Sequence, residues 1–133
     1  MGLFNFLSDD KPKSDLPYIL NVDFHPIRLP ANKADYVEMT LDVTNNSGKE
    51  QLMSILISVP KGLGFDQSAL SQEKELRLET MKAGEHRHMV IKLWSTQRTQ
   101  RGEYKVNISV AGHYRTYKHV LSEIRKVIAL RVV

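Results

Sequence analysis

An all-β domain, two antiparallel sheets stacked on one apolar core with about seven strands, is what this sequence predicts. Three observations carry that reading. Apolar residues recur at every second position in widely separated blocks, most clearly Tyr36–Thr44 and Glu103–Ala111, the spacing of a strand with one buried and one wet face. Clusters of Asn, Ser, Gly and Pro separate these blocks at short intervals, as turns between short strands require. The chain has 133 residues, 41% hydrophobic and 26% charged, which is enough for one core and ordinary for a globular domain.

The first strand is expected over Tyr18–Phe24 and breaks at Pro26, which lacks the N–H that a ladder needs and so marks an edge or a bend. It resumes over Ile27–Leu29 and stops at Pro30. Tyr36–Thr44 puts Val37, Met39, Leu41 and Val43 on one face and Glu38, Thr40 and Asp42 on the other, then ends at Asn45, Asn46, Ser47 and Gly48. Leu52–Val59 turns Met53, Ile55, Ile57 and Val59 inward before Pro60, Gly62 and Gly64 break it. Phe65–Glu73 reads equally as loop or short edge strand, and Lys74–Thr80 alternates again with Leu76 and Leu78 inward.

A turn around Gly84 leads into His86–Trp94, which carries Arg87, Met89, Ile91 and Leu93 on one face and His86, His88, Val90, Lys92 and Trp94 on the other. The polar connector Ser95–Gly102 precedes Glu103–Ala111, with Tyr104, Val106, Ile108 and Val110 facing the core. In Tyr114–Lys126 the residues Tyr117, Val120, Leu121 and Ile124 fall at helical spacing. That spacing predicts a short helix inserted before the last strand, Lys126–Val133.

The blocks VEMTLDVTNNSGKE, ISVPKGLGF, MKAGEHRHMVIKLW and GEYKVNISV together resemble the bacterial and archaeal immunoglobulin-like modules related to CARDB and fibronectin type III domains. The resemblance covers roughly residues 17 to 112. It implies an immunoglobulin-like sandwich, a tyrosine corner at Tyr104 whose hydroxyl ties down the adjacent crossover, and a prokaryotic source. It further implies scaffolding or adhesion through loops and strand edges rather than catalysis.

Cysteine is absent, which excludes disulfides, thiol catalysis and thiolate metal sites and agrees with a reducing, cytoplasmic setting. No apolar run approaches the ~20 residues that span a bilayer. The first residues hold a short greasy patch, Leu3, Phe4, Phe6 and Leu7, without the basic leader or cleavage site of a secretory signal. The expectation is a flexible tail over residues 1–15 ahead of a single domain over 16–133, the patch serving as a second anchor that touches a membrane periphery or a partner.

Charge is uneven along the chain. Residues 1–81 hold 8 Lys and Arg against 12 Asp and Glu, whereas residues 82–133 hold 11 against 3. In a sandwich, strands distant in sequence become neighbours, so the two halves are expected to neutralise each other across the sheets. A basic surface that binds nucleic acid or an anionic membrane is the alternative. It would draw on Arg98, Arg101, Lys105, His113, Tyr114, Arg115, Tyr117, Lys118, His119, Arg125 and Lys126, a mixture of cations and rings suited to backbones and bases. No recognition helix or RNA-binding signature accompanies it.

Other chemistry has little to stand on. The serines lack a Gly-x-Ser-x-Gly elbow, and KGLGF lacks the third glycine and helix of a phosphate cradle. His86 and His88 form a His-x-His pair that would need a third ligand such as His25, His113 or His119 to hold a metal. No cofactor is expected. The reading is therefore a non-enzymatic module that binds a protein partner through a sheet edge and the 114–126 insertion. Its contacts are Tyr114, Arg115, Tyr117, Lys118, Arg125 and Lys126, with the two tyrosines as hot spots. The apolar KVIALRVV segment adds a homodimer through an edge strand.

Overall fold

The computed structural model describes residues 16–133. Among them nine strands and no helix occur: β1 (Tyr18–His25), β2 (Arg28–Leu29), β3 (Tyr36–Asn45), β4 (Gln51–Ser58), β5 (Leu63–Gly64), β6 (Glu73–Met81), β7 (His86–Ser95), β8 (Gly102–His113) and β9 (Val120–Val132). Seven are long, in keeping with the alternation read from sequence; β2 and β5 contribute two residues each. One sheet has the order β1-β3-β7-β5 and the other β2-β9-β8-β4-β6. With the long strands lettered A (β1), B (β3), C (β4), C′ (β6), E (β7), F (β8) and G (β9), they divide as A-B-E against G-F-C-C′, an immunoglobulin-type division with an added edge strand.

The core follows directly from the alternation. Val37, Met39, Leu41 and Val43 of β3, Met53, Ile55 and Ile57 of β4, and Val106, Ile108 and Val110 of β8 are all fully buried, and residues of both sheets join one apolar cluster. Each such side chain contributes about 1.5–3 kcal/mol relative to exposure, so these three strands supply a large share of the hydrophobic stabilisation.

The first strand changes sheets. Tyr18–His25 pairs antiparallel with β3. After Pro26 the chain crosses over, and Arg28 and Leu29 pair parallel to Arg131 and Val132 at the end of β9. This parallel pair corrects the expectation of a wholly antiparallel fold. It follows from a β1–β2 segment that supplies one rim of each sheet, with a proline at the bend because Pro cannot continue a ladder.

A second correction concerns Tyr114–Lys126. No helix forms there. Strand β8 runs on to His113, residues 114–119 make a turn closed by hydrogen bonds from Tyr114 N–H to His119 O (2.9 Å) and from His119 N–H to Thr116 O (3.2 Å), and β9 starts at Val120. From Ser122 to Val132 every residue of β9 is in register with β8, with a bulge between Val120 and Ser122. Period two wins because Ser122, Ile124, Lys126, Ile128, Leu130 and Val132 all turn inward along that ladder, whereas the helical set mixes a turn residue with the exposed Val120 and Leu121.

Tyr104 behaves as a tyrosine corner. Its hydroxyl donates to the carbonyl of Gln100 (2.7 Å), fixing the loop that enters β8. Its ring lies against Gly62, at φ +104°, where an added Cβ would come within 3.0 Å of the ring. The KGLGF glycine therefore serves close packing.

Candidate protein-interaction edge

A groove of about 510 Å³ runs between the open rims of the two sheets, lined by Leu16, Tyr18, Ile19 and Leu20 on one side and Ile124 and Lys126 on the other. It exists because β1 ends one sheet and β9 is left almost uncovered in the other. Of the 13 residues of β9, only Arg131 and Val132 pair with β2, so among the described residues the rim from Val120 to Leu130 has no strand beside it. Such a rim presents unpaired backbone donors and acceptors in a row.

Side chains fix the groove's floor. Tyr18 is fully buried; its hydroxyl donates to Gln51 Oε1 on β4 (2.5 Å) and lies 2.6 Å from Ser122 Oγ on β9. One phenol thus joins β1 to both β4 and β9, across the two sheets. It fits because Gly112 of β8 lies beneath it: a Cβ there would come within 1.7 Å of the Tyr18 oxygen and 2.0 Å of Gln51 Oε1. Lys126 extends across the opening and donates from Nζ to the carbonyl of Leu20 on β1 (2.9 Å).

The six residues read from sequence as partner contacts do not form one patch. Tyr114, Arg115 and Lys118 are exposed in the β8–β9 turn, where the Arg115 guanidinium lies 4.9 Å from the centre of the Tyr114 ring. Arg125 and Lys126 are adjacent on β9 and therefore point to opposite faces, Arg125 outward and Lys126 into the groove. Tyr117 is half-buried and committed internally. Its hydroxyl accepts the N–H of Glu79 (3.1 Å), Arg77 stacks over its ring at 4.6 Å, and His113 meets it edge-on at 5.2 Å. Leu3, Phe4, Phe6 and Leu7 lie outside the described residues.

Beneath Tyr117, on the outer face of the five-stranded sheet, His113 is 6% exposed; its Nε2 lies 2.7 Å from Ser54 Oγ, while its Nδ1 is buried without a partner. Nothing in the sequence marked Ser54 and His113 as covered, because the covering Tyr117 ring comes from a turn.

His86 and His88 stand on the outer face of the four-stranded sheet. Both imidazoles hydrogen-bond to one oxygen of Asp42, His88 Nδ1 at 2.8 Å and His86 Nε2 at 3.1 Å. The His88 bond foremost, with His86 adding to it, holds the Asp42 carboxyl below its ordinary value of 3.8. Asp42 comes opposite His88 in the β3–β7 register, which is the signal that sequence alone lacked. Each imidazole is tied to the carboxylate through one ring nitrogen, and none of the described His, Asp and Glu residues form a group of three or more suited to hold a metal.

In sequence, no protein-family model and no curated protein matches the chain significantly. In structure it is similar to the ASH / PapD-like domain of human CEP192 (PapD-like domain 7), at 12% identity and a TM-score of 0.48, over 100% of this chain and 96% of that one. No function follows from a likeness at that level.

Proposed function

We propose that this chain is a non-enzymatic protein-interaction module that accepts an extended segment of a partner as an added strand along β9, with neighbouring side chains seated in the groove beside β1. The observation that carries this reading is the uncovered rim of a 13-residue strand beside an apolar groove. Strand addition takes affinity from main-chain hydrogen bonds and specificity from the pockets that receive alternate side chains. The opposite rim of the same sheet, β6, is poorly suited to it, because Glu73, Lys74, Glu75, Arg77 and Glu79 load it with charge, a common defence of an edge. The sequence blocks similar to CARDB and fibronectin type III modules fall in β3, β4, β7 and β8 and support a place among such binding modules.

The test is affinity capture from a cell extract with the natural chain and with Val127→Lys, which puts a charge on an exposed position of the rim. A bound protein should be lost with the variant, and in hydrogen exchange of the captured complex the amides of residues 120–130 should gain protection. Protection confined to other strands would overturn the reading.

A further inference from the structure

We infer that the strand β9 receives is β9 of a second copy of this chain, antiparallel and centred on Ile124. The inference rests on the edge reading above and names its partner. Its basis is a two-fold pattern in the sequence of the rim itself. From Val120 to Ile128 the residues run Val, Leu, Ser, Glu, Ile, Arg, Lys, Val, Ile: apolar at both ends, polar next, one acid and one base flanking a central isoleucine.

An antiparallel pair about a two-fold axis at Ile124 places residue 123 opposite 125 and residue 121 opposite 127. Glu123 of each copy then meets Arg125 of the other, twice over. Within one chain these two side chains already approach to 3.5 Å, and the arginine side chain is 78% exposed; pairing completes a ring of four alternating charges. Opposite charges directly across an antiparallel pair are favourable and like charges are not, and a slip by one residue, which puts Glu123 against Ile124 or Lys126, turns the second copy's inward face outward. Val127, 55% exposed, comes opposite the stretch that holds Leu121, also 55% exposed, where the bulge between Val120 and Ser122 ends the regular ladder.

Two further observations agree. β9 carries three exposed large hydrophobics, Val120, Leu121 and Val127, whereas each other long strand exposes at most one. The paired window also ends at Ile128, before Arg131 and Val132, which β2 already covers. Because such an interface is isologous, the same patch serves both copies.

The natural chain lacks cysteine, so single-cysteine variants of the full chain report the register cleanly. Under mild oxidation Ile124→Cys should cross-link to its own copy, whereas Val127→Cys, separated from its equivalent by roughly 20 Å of strand, lies far beyond the ~7 Å reach of a disulfide. Should Ile124→Cys fail to fold, an equimolar mixture of Glu123→Cys and Arg125→Cys takes its place. In sedimentation analysis the natural chain should dimerise. Glu123→Arg and Arg125→Glu should each weaken the dimer by roughly tenfold, and the two changes together should restore it.

A full chain that sediments as a monomer from micromolar to millimolar concentration overturns the inference, whether residues 1–15 or a different protein occupies the rim. So does a dimer that ignores the charge exchange or cross-links through position 127. If the chain is monomeric while capture of another protein is still lost with Val127→Lys, the second copy is refuted and the edge reading survives.

Discussion

Gly112 shows how a single residue decides whether the two sheets close. The absent side chain leaves the space in which the Tyr18 phenol meets Gln51 and Ser122. Gly112→Ala should lower stability by about 1–3 kcal/mol through overpacking, read as a lower urea midpoint, and should loosen the floor of the groove. An unchanged midpoint would mean that the phenol has another place to go. Asp42 makes the second argument at this scale. Its carboxyl titrates below 3.8 because the imidazoles, His88 first, favour the ionised form. A depressed carboxyl adds stability that is complete above the unfolded value and disappears as pH falls through the folded one. Asp42→Asn should therefore be less stable than the natural chain near neutrality, and the gap should close as pH drops from about 4 towards 2. A gap that persists in strong acid would assign the difference to packing.

Strands were legible to the extent that one face of each is dry. In β3, β4 and β8 strict alternation marks the buried set, and the structure buries those same residues apart from Tyr104, which is partly covered. β9 resisted the reading because its first half has no dry face of its own: Ile124 and Ile128 are only partly covered, and Val120, Leu121 and Val127 are exposed. Apolar residues on both faces blur period two, and Tyr117, Val120, Leu121 and Ile124 then mimic period 3.6. The exposure that hid the strand is the same property on which the proposed interaction edge rests. Two-residue pairings such as Leu63–Gly64 with β7 carry no periodicity, so no pattern announces them. The edge was predicted in kind, but its position along β9 and the groove beside β1 depend on the crossover at Pro26, which places distant segments side by side.

For the whole molecule, topology spreads the cations of the basic half along β8 and β9. Arg98 and Arg101 precede β8, whereas Tyr114, Arg115 and Lys118 follow it, which separates the two groups by roughly 40 Å of strand. Acids also sit beside the bases: Arg131 with Glu103 at 3.6 Å, Arg125 with Glu123 at 3.5 Å and Arg87 with Glu85 at 3.0 Å. Lys105 and Arg125 lie on the strands between the two groups, with Glu123 beside Arg125. A competition shift assay with duplex DNA should find no binding at physiological salt; binding that falls steeply as salt rises would restore the nucleic-acid alternative.

The crossing at Pro26 also bears on how the molecule loosens. Residues 18–29 supply the rim of one sheet and then, without a break, the cover at the end of the other. Peeling them away strips both layers together, so fraying on this flank is a shared event that neither layer undergoes alone.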